Sequence, residues 1–96
     1  MQPTHTDRRR SLRRAVWSRA TILWEEDEQC YSVRGHIRDL SPHGCSLVTL
    51  SRIPARMGAI SALEFDLASR CRVAHTRRRG PLHVTGLEFL ASLPRD

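Results

Sequence analysis

Apolar residues recur at every second position along much of this chain. They do so in runs too short for helices, separated by turn residues. Val16, Ala20, Ile22 and Trp24 share one parity, the mark of a strand with one buried face. Tyr31, Val33 and Ile37 continue the period, with Gly35 in phase, to an end near Asp39. Residues 25–29 read as a solvated turn between these two strands. Residues 45–50 form a third apolar run. Cys71, Val73 and His75 alternate, and residues 83–90 carry Val84, Leu87 and Phe89. Residues 60–67 fit a strand better than a short helix, because Gly58 and the neighbouring strands suggest one continuous meander. Breaks fall at Ser41-Pro42-His43-Gly44, at residues 54–58 and at a hairpin loop over residues 77–81. In the first of these Pro presets its own φ and Gly is expected to take a strained one. About six strands at this spacing, with almost no helix, predict an all-β, six-stranded antiparallel barrel. Closure removes the edge strands that otherwise invite aggregation.

The 96 residues suffice for one domain and one modest core. Residues 1–7 are expected to be a disordered tail and residues 8–93 a single barrel domain that includes a basic arm. With 40% hydrophobic and 27% charged residues the chain is globular in composition. No apolar run approaches the roughly 18–20 residues of a membrane span. Residues 1–14 are polar and basic, with no apolar stretch that would read as a secretory signal, so the cytoplasm is the expected compartment.

Cys30, Cys45 and Cys71 are odd in number and far apart. They read as small buried apolar residues rather than disulfides or zinc ligands. His5, His36, His43, His75 and His83 have no metal-ligand spacing, so no metal is expected. Trp17 and Trp24 lie seven positions apart and so face opposite sides of one strand. One belongs to the core; the other is exposed or lies against the basic arm. Cys45, His43 and Asp39 could be assembled into a nucleophilic set, but a thiolate is disfavoured in an apolar strand. No catalysis is expected.

The net charge of +6 comes from sixteen Arg and no Lys, against ten acidic residues. Arg8, Arg9, Arg10, Arg13, Arg14 and Arg19 crowd the first twenty residues. Glu25-Glu26-Asp27-Glu28 is an acidic run, and Arg77-Arg78-Arg79 is a second basic one. Such charge permits nucleic-acid binding. An aromatic content of 5% is thin for base-stacking platforms, so nucleic acid is the weaker alternative. A ligand-free interaction barrel is another.

Two motifs carry chemistry together. Arg9/Arg13 and Arg10/Arg14 each give RxxxR, and Asp39-Leu40-Ser41-Pro42-His43-Gly44 gives DxSxxG between two expected strands. Arg can donate a pair of hydrogen bonds to guanine O6 and N7 or to phosphate, and can stack on a base. A carboxylate can accept from the Watson–Crick edge of guanine, a serine hydroxyl can bond a base or a phosphate, and a glycine allows close approach. His43, at a variable position of the motif, reads as a solvent-facing turn residue.

In order and spacing, these residues resemble a PilZ domain, the bacterial receptor module for cyclic di-GMP. Residues 16–22 are similar to the first strand of that family, and Gly58 with its following strand to the middle section. Gly86-Leu87-Glu88-Phe89 resembles the closing strand. The resemblance covers roughly residues 8–90. It implies a six-stranded barrel and cyclic di-GMP as ligand, with no further cofactor. The ligand would be held by Arg9, Arg10 and Arg13 on the arm and by Asp39, Ser41 and Gly44 on the barrel. Arg10/Arg14 fits the paired arginines too, but Arg9/Arg13 leaves the first strand better aligned. Ordering of the arm would signal to a protein partner whose identity the sequence does not name. Many such domains continue into a C-terminal helix. Residues 91–96, with Pro94, are expected to form no more than a turn, and oligomeric state stays open.

Overall fold

The computed structural model describes residues 13–90. Six strands run β1 (Arg14–Glu26), β2 (Gln29–Ser41), β3 (Gly44–Thr49), β4 (Met57–Ala62), β5 (Leu67–Arg79) and β6 (Leu82–Phe89). All pairs are antiparallel, and they close into a barrel in the order β1-β2-β3-β6-β5-β4. The expected fold class is thereby found. The arm residues before Arg13 and the segment after Leu90 lie outside the described residues.

The chain is not one continuous meander. It makes two three-stranded meanders, β1-β2-β3 and β4-β5-β6, joined by a connection through residues 50–56. That connection carries Ile53 into the core, which a hairpin between β3 and β4 could not do. Residues 60–67 are also not one strand. β4 stops at Ala62, a 3₁₀ turn spans Leu63–Phe65, and Asp66 takes φ 52° to release the chain into β5. Glycine is cheaper than Asp at such a backbone angle.

Alternation builds the interior as the sequence suggests. Ile22, Ile37, Leu47, Ile60, Cys45 and Cys71 are fully buried or nearly so. Each large aliphatic side chain removed from water contributes roughly 1.5–3 kcal/mol. Trp24 is the inward tryptophan and stacks on Tyr31 at 5.7 Å. Trp17 is the outward one, and it stacks on His36 at 4.6 Å with the rings 6° from parallel. Cys30 is exposed, contrary to the expectation of three buried cysteines, because it sits in the projecting part of the β1–β2 hairpin opposite Glu25. That hairpin turns on two residues only, Asp27 and Glu28, both with positive φ. The β5–β6 turn is likewise confined to Gly80 and Pro81, so Arg77, Arg78 and Arg79 belong to β5 rather than to a loop. Among the described residues no helix is long and apolar enough to cross a membrane.

Candidate ligand-binding site

The DxSxxG residues are a strand end, a two-residue turn and a strand start. Asp39 and Ser41 close β2, Pro42 and His43 turn, and Gly44 opens β3. Leu40 and Cys45, paired across the ladder, point inward. Asp39 and Ser46, also paired, therefore stand on the outer face. The turn holds Ser41 tightly. Its hydroxyl accepts from the His43 N–H at 3.3 Å and lies 3.4 Å from the Gly44 carbonyl, to which it can donate. The hydroxyl is buried by these contacts. His43 is exposed, as expected for a turn residue, and its carbonyl accepts from the Phe89 N–H at 2.8 Å.

Gly44 does not take the strained φ anticipated for it; its backbone lies in the ordinary region. Its lack of a side chain serves a different purpose. A Cβ there would lie 2.1 Å from the Leu87 carbonyl oxygen, so β3 and β6 could not approach as they do.

Arg13 sits just before β1, which lies beside β2. Its guanidinium donates to Asp39 Oδ1, and Arg38 Nε stands 3.6 Å from Asp39 Oδ2. Arg13 and Asp39 thus meet across 26 positions of chain. Arg14 instead begins β1 opposite Leu40. Arg9 and Arg10 lie outside the described residues.

Register reveals a floor that sequence reasoning missed. Ala15 faces Asp39, Asp39 faces Ser46, Ser46 faces Gly86, and Gly86 faces His75. One row thus crosses five strands on the outer face. The His75 ring lies over Gly86; a Cβ on Gly86 would meet Nε2 at 2.3 Å and Cε1 at 2.5 Å. Between the Asp39 carboxylate and the His75 imidazole the floor is made only of Ser46 and a glycine. Because the His75 ring lies over Gly86, two strand spacings separate the two ends, roughly 10 Å. The next row is Ser41, Gly44, Glu88 and Arg72, closed by an Arg72–Glu88 ion pair. A flat strip with a carboxylate at one end, an imidazole at the other and guanidinium groups beside it suits a planar, hydrogen-bonding, anionic ligand. The Gly of Gly86-Leu87-Glu88-Phe89 was the available signal for this floor. Its partner His75 was not visible, because a bulge between Val73 and His75 shifts the pairing.

Cys45 lies directly beneath this face. Burial, with Cys71 and Asp39 nearby, pushes its thiol up to about 12, and burial pushes Cys71 to about 11. Cys45 is therefore a neutral thiol at ordinary pH and no nucleophile. Among the described residues no group of three or more His, Cys, Asp or Glu could hold a metal ion.

The PilZ domain model matches residues 7–96. The chain belongs to the PilZ domain family, a family of binding and receptor domains, and that membership supports a cyclic di-GMP-binding module in general. No curated protein matches the chain.

Proposed function

We propose that this protein is a cyclic di-GMP receptor whose N-terminal arginines close over the outer face of β2, β3 and β6. The observation that carries the reading is the Arg13 guanidinium on the Asp39 carboxylate, at the edge of the Ser46–Gly86 floor. Asp39 can accept from the Watson–Crick edge of guanine, which adenine does not present in that arrangement. Ser41 and Gly44 hold the turn that positions it. Arg13, and Arg9 one RxxxR step earlier, would grip phosphate and guanine faces, with Arg10 adding a contact. The Arg13–Asp39 contact supports the Arg9/Arg13 pairing over Arg10/Arg14. Charge-assisted bonds to the ligand would order the arm and present a changed surface to a protein partner. On this reading the protein would act in the cytoplasm, where an intracellular messenger is met.

Calorimetric titration with cyclic di-GMP at moderate salt tests this, with Arg13→Ala and cyclic di-AMP as comparisons. Saturable binding is expected. Arg13→Ala should weaken it about tenfold or more, the scale of one lost hydrogen bond from a charged group. Equal binding of cyclic di-AMP, or no heat with cyclic di-GMP, would overturn the proposal.

A further inference from the structure

A second region of the outer face adjoins the Asp39 floor, for Val48 and Val84 stand two residues from Ser46 and Gly86 on β3 and β6. On β1 the outward residues are Arg19, Thr21, Leu23 and Glu25, alternating with buried Ala20, Ile22 and Trp24. Their partners on β2 are His36, Arg34, Ser32 and Cys30, on the same face. A groove of about 770 Å³ occupies the end of this ribbon nearer Trp17. Trp17, His36, Val48 and Leu63 give it apolar walls, and Leu63 is 96% exposed. Arg19 and Arg34 give it charge, and among the described residues no carboxylate lines it. Glu64 lies only in the adjoining recess of about 420 Å³. Arg77 extends the basic side, since it faces Val84, which faces Val48.

The other end of the same ribbon is the reverse. Glu25, Glu26, Asp27 and Glu28 are all exposed, around the turn whose two residues both hold positive φ. Such a backbone is costly for residues other than glycine. The strain keeps carboxylates where a glycine would fold more cheaply.

The ribbon is thus basic and apolar at one end, acidic at the other, with exposed Leu23 between them. This pattern is self-complementary. A two-fold axis between two such faces, crossing the strands at the level of Ile22, sets position 19 against 25 and position 21 against 23. Arg19 of one copy then meets Glu25 of the other, Arg34 stands opposite Ser32, and the hairpin tip reaches the Trp17 end of the groove; each contact occurs twice. That is the rule for a closed two-fold interface. We propose that the outer face of the β1–β2 ribbon binds a second copy of this chain, the acidic hairpin tip of each seated in the basic groove of the other.

The test is sedimentation of the full chain over a range of concentration and salt, with two charge-reversed variants. One is Arg19→Glu with Arg34→Glu; the other is Glu25→Arg with Glu28→Arg. The wild-type chain is expected to dimerise, less so as salt rises. Each variant alone should be monomeric, since positions 19 and 25 then carry like charge. An equimolar mixture of the two should dimerise again, because position 19 of each then meets the opposite charge at position 25 of the other. Recovery on mixing also shows that both variants fold. A monomeric wild-type chain, or a dimer indifferent to the reversals, would overturn the proposal. So would a monomer that binds a poly-glutamate peptide through the groove, which would assign the face to an acidic partner instead.

Discussion

A methyl group added at Gly44 separates packing from ligand chemistry in the DxSxxG motif. The atom it would strike, the Leu87 carbonyl oxygen, is backbone and cannot rotate away. Gly44→Ala should therefore cost about 1–3 kcal/mol, the usual range for overpacking. A urea midpoint equal to that of the wild type would refute this. Asp39→Asn should behave oppositely. Its ion pairs with Arg13 and Arg38 are partly exposed, so stability should change by less than about 1 kcal/mol. Cyclic di-GMP affinity, read by calorimetry, should still fall about tenfold or more. The cysteines predict a pH effect. Cys45 and Cys71 keep their protons in the folded chain up to about 12 and about 11, against 9.0 for a solvated thiol. Stability is thus fully present below about 9. Above it the unfolded chain ionises first, and stability declines as pH rises toward those values, by up to about 1.4 kcal/mol per pH unit for each thiol. Denaturation midpoints from pH 8 to 11 check the sign, and Cys45→Ala should flatten the slope. At this scale the motif residues were legible and their reasons were not. Gly44 looked like a turn residue because its constraint, Leu87, is far away in sequence. Cys30 looked like a core residue because hydropathy says nothing of how far a hairpin projects.

Among the elements, the β1–β2 hairpin carries the clearest local conflict between sequence and geometry. Its two-residue turn needs positive φ twice, a conformation suited to Asn-Gly, yet it is built from Asp27 and Glu28. Glu28→Gly should stabilise the protein by about 1 kcal/mol, and a lower thermal midpoint in that variant would contradict the assignment. The strands themselves were legible because period-2 burial survives in β1, β2 and β5. Their ends were less so. The turn at residues 25–29 shrank to two residues, and the loop at residues 77–81 became strand up to Arg79, because cross-strand pairing continues past the last buried side chain. Residues 60–67 misled for another reason. Leu63 and Phe65 are apolar, but they form a turn outside the sheet, with Leu63 facing solvent.

For the whole molecule, closure depends on a narrow seam. β1 and β4 share only three residue pairs, Thr21–Ser61, Ile22–Ile60 and Leu23–Ala59, against eleven between β1 and β2. Amide hydrogen exchange should be faster at β4 positions bonded to β1 than along β2 and β3. Equal protection would show that the seam is no weak point. The barrel class could be read from strand number and turn spacing, since six short strands with buried faces have few other ways to hide their edges. The strand order could not. Nothing local in residues 50–56 distinguishes a hairpin from a crossing, and Ile53 becomes a core residue only once the crossing is made.

That crossing has a consequence for how the chain comes off the ribosome. When β1, β2 and β3 have emerged, the outer edge of β1 still awaits β4 and the outer edge of β3 awaits β6. The nascent sheet therefore has two bare edges until the final strand is made. Throughout that interval another nascent chain can offer the same hydrogen bonds.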